Sequence, residues 1–135
     1  MADNKFTVEV MCPDRSFFKG EADMVEMSTV EGNIGVYPGH IPLATVLSSG
    51  IMYIHNDGEV REAAVHSGLA KIDQTSIMVL AEVAEWPEEI DFNRAEEAKI
   101  RAERRLNSAG STSGIDLERA EAALKRSLTR ISLRK

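Results

Sequence analysis

One cysteine, one tryptophan and an aromatic content of 5% leave this 135-residue chain without several common devices. Cys12 alone cannot close an internal disulfide or supply a thiolate cluster to a metal. It stands in the apolar run VEVMC, where the role of a small buried hydrophobe suits it. No apolar run approaches the roughly 18 residues that a membrane span needs, and no Lys/Arg-led signal segment opens the chain. A soluble, cytosolic protein is therefore expected, one that can still dock on a membrane complex. The glycine-rich stretch EGNIGVYPGH, residues 31–40, lacks the Gly-Lys-Ser/Thr ending of a phosphate loop and the spacing of a dinucleotide fingerprint, and reads as a constrained surface loop. His40, His55 and His66 form no i,i+4 pair, so no metal site is expected. Ser67, in AVHSGLA, has no Gly-x-Ser-x-Gly frame, and a small hydrolase using Ser67 or His66 is a minor alternative.

Cations are scarce everywhere except at the end. From Arg119 onward there are six Lys or Arg against one carboxylate, whereas residues 1–118 carry ten against twenty-one. That asymmetry suits a tail that meets an acidic surface or an anion, while the last charges also favour the helix macrodipole. Nucleic acid is disfavoured, because no aromatics interleave the basic stripe and the acidic bulk repels a phosphate backbone.

Up to about Glu85 the apolar period is two. FTVEVMC, ADMVEMSTV, IMYIHN, VREAAVHS and SIMVLAEVA are short and rich in Val, Ile and Met, as strands are. Asn56-Asp57-Gly58 is a hairpin signal, since Asp-Gly tolerates the positive φ values of a type I′ turn. These strands predict a small β-sandwich or barrel. After Trp86-Pro87 the pattern changes: Asp91 to about Asn107 and Asp116 to about Leu133 are rich in Ala, Glu, Lys, Arg and Leu without Gly or Pro. The intervening SAGSTSG predicts a turn and an antiparallel pair of helices. The inner faces are expected to carry Ala95, Ala98, Ala102 and Leu106 against Ala120, Ala123 or Leu124, Leu128 and Ile131. Alanines permit close approach but bury little area, so the hairpin should be marginal by itself. The predicted class is α+β, mainly β: an N-terminal antiparallel β-sandwich over 1–86 and a C-terminal antiparallel two-helix hairpin over 87–135.

Two stretches share a pattern, IDFNRA at 90–95 and IDLERA at 115–120. Asp91 and Asp116 fit the N-cap position, where a carboxylate accepts from unpaired backbone N–H groups. Capping leaves Arg94 and Arg119 unexplained, because a cation in the first turn opposes the dipole. Each is either recruited by something outside its helix or solvated.

EGNIGVYPGHIPL, AAVHSGLAKI, SIMVLAEVAE and IDFNRAEEAKIRAERRL, in this order over nearly the whole chain, closely resemble the epsilon-subunit family of bacterial F-type ATP synthases. The resemblance implies a non-catalytic subunit of the central rotor stalk that couples proton flow to ATP synthesis. It lies at the cytoplasmic face of the bacterial cell membrane without inserting, binds the gamma subunit and the c-ring through its sandwich, and reaches the alpha/beta catalytic head with its helices to block ATP hydrolysis. A rotor-contact loop is implied at Glu31, Gly32, Asn33, Ile34 and His40. No cofactor is required, but the family's Ile/Leu-Asp-x-x-Arg-Ala motif implies ATP as a regulatory ligand. The implied nucleotide residues are Glu85, Ile90, Asp91, Arg94, Ala95, Arg101, Arg126 and Arg130. The spacings fit: Arg94 and Arg101 are seven apart and Arg126 and Arg130 four apart, so each pair shares a helix face. Three departures stand out: His66-Ser67-Gly68 replaces the usual Ser-Gly-Gly, Asn33 replaces a common acidic residue, and Pro87 precedes the first helix. The alternatives are the same subunit without useful ATP sensing, or a β-sandwich adaptor whose hairpin binds another protein.

Overall fold

The computed structural model describes residues 4–108 and 114–134, and the chain divides into two units, Met1–Trp86 and Pro87–Lys135. Among the described residues the first unit holds eight strands: β1 (Phe6–Cys12), β2 (Arg15–Ala22), β3 (Met24–Thr29), β4 (Gly32–Val36), β5 (Leu43–Leu47), β6 (Gly50–Asn56), β7 (Glu59–Ile72) and β8 (Ser76–Glu85). Their order is β2-β1-β8-β7-β5-β3-β4, with β6 also joined to β3 and β7. Strands β3, β5, β7 and β6 thus close a ring of pairings, and the sheet folds over on one apolar core. All pairings are antiparallel except β1 with β8, where Thr7 to Met11 run beside Ser76 to Leu80.

Alternation places Phe6, Val8 and Val10 of β1, Val25 and Met27 of β3, Met52 and Ile54 of β6, and Ile77, Val79 and Ala81 of β8 inside. Cys12 is half-buried against this core. Strand β7 buries four successive residues, Ala63, Ala64, Val65 and His66, and then bends. At the bend Ser67 has φ 63° and Gly68 φ 141°, and the pairing partner of β7 passes from β6 to β5. A Cβ on Gly68 would lie 2.2 Å from the Leu80 carbonyl oxygen, so the position requires glycine for space as well as for dihedral. Asp57 (φ 52°) and Gly58 (φ 80°) join β6 to β7 in the expected type I′ manner. Beside this turn the Lys5 ammonium reaches Asp23 Oδ1 and Asp57 Oδ1, each at 2.8 Å, and Asp57 N–H donates to Asp23 Oδ2 at 2.7 Å. The hydrogen bonds to these carboxylates raise the Lys5 pKa, and the Lys5 ammonium lowers that of Asp23.

Two expectations change in this unit. The stretch 31–40 is not a loop throughout: β4 occupies Gly32–Val36 as an edge strand paired only to β3. Strands β2 and β5 are also present where no alternation announced them, and β7 runs on to Ile72.

The second unit opens with a 3-10 turn, Pro87–Glu89, closed by Ile90 N–H donating to the Pro87 carbonyl at 3.2 Å. Helix α1 (Phe92–Asn107) follows, with Asp91 as its N-cap: Oδ1 accepts from Arg94 N–H at 3.1 Å. Ser108 caps the other end, its N–H donating to the Arg104 and Arg105 carbonyls. Helix α2 spans Gly114–Ser132, so Asp116 is its third residue and not its N-cap. The second copy of the repeated pattern therefore sits deeper in its helix than the first, and its carboxylate acts on the dipole from within the first turn. The predicted turn at 108–114 lies outside the described residues apart from its two ends.

Ala95, Ala102 and Ala120 are buried, and Ala98, Leu106, Ala123, Leu124 and Ile131 half-buried, as the inner faces require. Leu128 is not inside; it is 47% exposed, and Ser127, at 1%, takes that place. A helix advances about 100° per residue, so the line from Ala120 that passes between Ala123 and Leu124 reaches Ser127 before Leu128. The Ser127 hydroxyl is satisfied within its own helix by the Ala123 carbonyl at 2.9 Å.

Candidate functional site

The arginine positions on the hairpin can be placed from helix geometry. Arg134 Nη1 lies 3.7 Å from Glu96 Oε1, and the Arg134 guanidinium lies 5.3 Å from the Phe92 ring centroid, so the end of α2 runs beside the start of α1. Counting back antiparallel, Arg130 is level with about Ala98 and Arg126 with about Ala102. Around the axes, Arg94 and Arg101 fall roughly 90–110° to one hand of the line Ala95–Ala102. Arg126 and Arg130 fall roughly 70–110° to the same hand of the line Ala120–Ser127. The two-fold operation that relates antiparallel helices keeps equal hands on one side of the pair. All four guanidinium groups consequently issue from one side, together with Arg105 and Arg119, while Glu96, Glu103 and Glu121 fall on the other. Arg94 and Arg101 are exposed, and Arg126 and Arg130 half-buried. Such an array suits an anion with several oxygens, since guanidinium groups donate in pairs to phosphate.

The remaining nucleotide residues divide. Asp91 is occupied as the cap, Ile90 is 8% exposed, and Ala95 belongs to the interface between the helices. Glu85 belongs to the other unit, where its Oε1 lies 3.2 Å from His66 Nε2. The hydroxyl that meets the other nitrogen of His66 is that of Ser49, at 3.3 Å, and not that of Ser67. The implied rotor-contact residues also divide. Glu31 to Ile34 occupy the β3–β4 turn and the start of β4, and His40 lies beyond the far end of that strand, in a turn closed by its own N–H on the Tyr37 carbonyl at 3.2 Å.

A feature absent from the sequence-based expectations is an apolar row on the outer face of the sheet. Pairing sets Val46 of β5 opposite Leu69 of β7, Leu69 opposite Leu80 of β8, and Leu80 opposite Met11 of β1. Their exposures are 48, 55, 51 and 38%. Met78, two residues back along β8 on the same face, extends it. Four contiguous apolar residues across four strands, on the face opposite the core, form the kind of patch that protein partners cover. A signal existed: SIMVLAEVA is apolar at both parities, as strands covered on both faces are.

Residues 5–87 match the family model for the beta-sandwich domain of the ATP synthase delta/epsilon chain, and residues 88–134 match the model for the long alpha-helix domain of the same chain. The chain belongs to the ATP synthase delta/epsilon family. Among its relatives, the ATP synthase epsilon chain of Clostridium kluyveri is 43% identical over 127 residues, covering 93% of this chain and 94% of the relative. That of Shouchella clausii is 41% identical over 128 residues, covering 95% and 93%. A chain in the Euglena gracilis mitochondrial ATP synthase structure has the same fold, with a TM-score of 0.81 at 19% identity over 93% of this chain and 79% of that one. Family membership places the sandwich and the hairpin in one subunit of a rotary ATP synthase. Among the described residues, no helix is long and apolar enough to cross a membrane.

Proposed function

We propose that this chain is the non-catalytic epsilon subunit of the central stalk, docked on the gamma subunit and the c-ring at the cytoplasmic face of the membrane. Its helical unit acts as a regulatory arm that restrains ATP hydrolysis by the alpha/beta head. The observation that carries the docking reading is the row Val46, Leu69, Leu80 and Met11, which a folded sandwich has no internal reason to keep apolar. Glu31, Gly32, Asn33, Ile34 and His40 are assigned to the rotor contact on the strength of the resemblance. Binding to the family's gamma subunit tests the docking: the wild-type chain should co-purify with gamma, and Leu69→Glu with Leu80→Glu should abolish this while leaving the fold intact. Unchanged binding by the double variant would refute the surface, and no binding by the wild type would refute the subunit.

The same-sided arginines support ATP as the ligand that holds the arm folded. The phosphates bridge Arg94 and Arg101 of α1 to Arg126 and Arg130 of α2, with Glu85, Ile90, Asp91 and Ala95 completing the set implied by the family motif. A ligand that binds only the closed hairpin at one hundred times its dissociation constant adds about 2.7 kcal/mol, which outweighs several alanine contacts. Calorimetry is decisive here. Saturable binding should be lost in Arg94→Ala and Arg126→Ala and retained in Arg119→Ala, and a wild type that binds no ATP at millimolar concentration would leave the hairpin without a sensor.

A further inference from the structure

The last three residues of the sandwich are each fastened by a different contact. The Ala84 carbonyl accepts from Arg15 Nη2 of β2 at 3.1 Å. The Glu85 carboxylate meets Nε2 of His66 on β7, a ring only 2% exposed. A carboxylate can only accept, so Nε2 donates to it, and Nδ1 lies 3.3 Å from the Ser49 hydroxyl in the turn before β6. The Trp86 ring stacks on Phe17 with centroids 4.2 Å apart and planes at 19°, and meets the edge of Phe18 at 6.2 Å. The Arg61 guanidinium lies 3.8 Å over Trp86, and Arg15 lies 5.1 Å over Phe17. Arginine, indole, phenyl and arginine thus form one four-layer stack at the end of β8.

The character of the chain changes at the next residue. Pro87 has no N–H to offer a strand, and a single 3-10 turn follows, closed by one hydrogen bond from Ile90. Asp91 then begins α1 as its cap.

We propose that these contacts on residues 84–86 are a clamp that ends the rigid sandwich at Trp86 and confines bending of the regulatory arm to residues 87–90. The proposal rests on reading the helical unit as an arm. Its residues are positioning residues: Arg61 and Arg15 hold the Trp86 ring and the β8 end, and His66 holds the Glu85 carboxylate. Glu85 therefore stays with the sandwich when the arm moves, and Asp91 goes with the arm. Fastening by side chains from β2, β7 and the 48–49 turn makes the end of β8 depend on three separate parts of the unit, whereas an ordinary strand end frays.

Hydrogen exchange on the full-length chain tests the clamp, with acrylamide quenching of Trp86, the sole tryptophan, as a second readout. Wild-type amides of 84–86 should be protected and those of 88–91 should exchange fast. In the Arg15→Ala/Arg61→Ala variant, exchange at 84–86 should rise about tenfold or more, because the cation–π contacts of Arg15 with Phe17 and of Arg61 with Phe18 and Trp86 are lost with the Arg15 hydrogen bond to Ala84, while β1 and β3 stay protected and Trp86 quenches more readily. Protection of 88–91 equal to that of 84–86 would overturn the proposal. So would a double variant unchanged in both readouts. Should that variant lose protection throughout the sandwich, His66 decides: His66→Gln, which keeps an N–H toward Glu85, should retain protection at 85, and His66→Leu should lose it. Equal behaviour of the two would count against the clamp. These readouts require neither ATP binding nor inhibition, so a clamp can stand where the regulatory reading fails.

Discussion

Replacement of Asp91 by alanine should open the start of α1, by an amount that the cap itself sets. Asp91 Oδ1 accepts one N–H, that of Arg94 at 3.1 Å, and loss of such a cap costs about 1 kcal/mol. The fully buried alanines of the helical unit, Ala95, Ala102 and Ala120, contribute roughly 0.8 kcal/mol for each methyl, with half-buried Leu106, Leu124 and Ile131 and fully buried Leu133 in addition. A loss of about 1 kcal/mol multiplies the open population about fivefold. Hydrogen exchange on the full chain reads the loss, with sandwich amides as the internal reference. Asp91→Ala should speed exchange through α1 about fivefold, and Asp91→Asn should keep most of the protection because Asn also caps. An Asp91→Ala chain with unaltered α1, or an Asp91→Asn chain that exchanges as fast as Asp91→Ala, would refute the assignment of Asp91 as the cap.

Other outcomes follow from the same structure. Arg94→Ala should stabilise free α1 by about 0.3 kcal/mol, since a cation leaves the positive end of the dipole, while removing the stabilisation proposed for ATP; thermal melts with and without ATP separate the two. Gly68→Ala should cost about 3 kcal/mol or more in chemical denaturation, because its φ of 141° is joined by a clash with Leu80, whereas Gly58→Ala, at φ 80° in open space, should cost about 1 kcal/mol. Ser127→Ala should stabilise the hairpin by about 0.5 kcal/mol in the same exchange experiment, as a back-bonding hydroxyl gives way to the best helix former. Lys5→Met should lower the melting temperature in a pH-dependent way. Asp23, lowered from 3.8, contributes stability that is present above 3.8 and lost as pH falls through its folded value; Lys5, raised from 10.5, contributes stability present below 10.5 and lost as pH climbs past its folded value. The difference from wild type should be constant from about pH 5 to 9 and close at both extremes.

Local signals carried much of the fold. The Asp57-Gly58 turn, the shift in apolar period at Trp86-Pro87 and the Asp91 cap are decided within a few residues, and each stands where the residues put it. What the residues did not show depends on distant partners. Strand β2, RSFFKGEA, breaks alternation with Lys19 and Glu21 because it is an edge, and its pairing with β1 organises it. The parallel partnership of β1 and β8 joins Thr7 to Ser76, with no local trace. Glycine-rich β4 is extended because β3 supplies its ladder on one side. At the hairpin, the spacing of Arg94, Arg101, Arg126 and Arg130 was legible, and so was the small-residue interface. The exchange of Ser127 for Leu128 was not, because the helical phase shifts by only about 20° over seven residues, and a leucine looks more buried than a serine.

Arg94 joins these threads. It is the third residue of α1, its backbone N–H is the one that Asp91 caps, and its side chain puts a positive charge where the helix dipole opposes it. A helix selected only for stability has no use for that charge; an acidic residue there would cap and complement at once. The opposing cost is small, but it falls on a hairpin whose interface is alanine, whose centre holds Ser127, and whose exposed Leu128 and Ile100 bury little. Each choice takes stability from the closed form. The anion proposed for the arginine side would cancel the unfavourable charge at Arg94 and bridge both helices in the same step. A ligand shifts an equilibrium only by its differential affinity, so the nearer the hairpin lies to balance, the smaller the affinity needed to decide it.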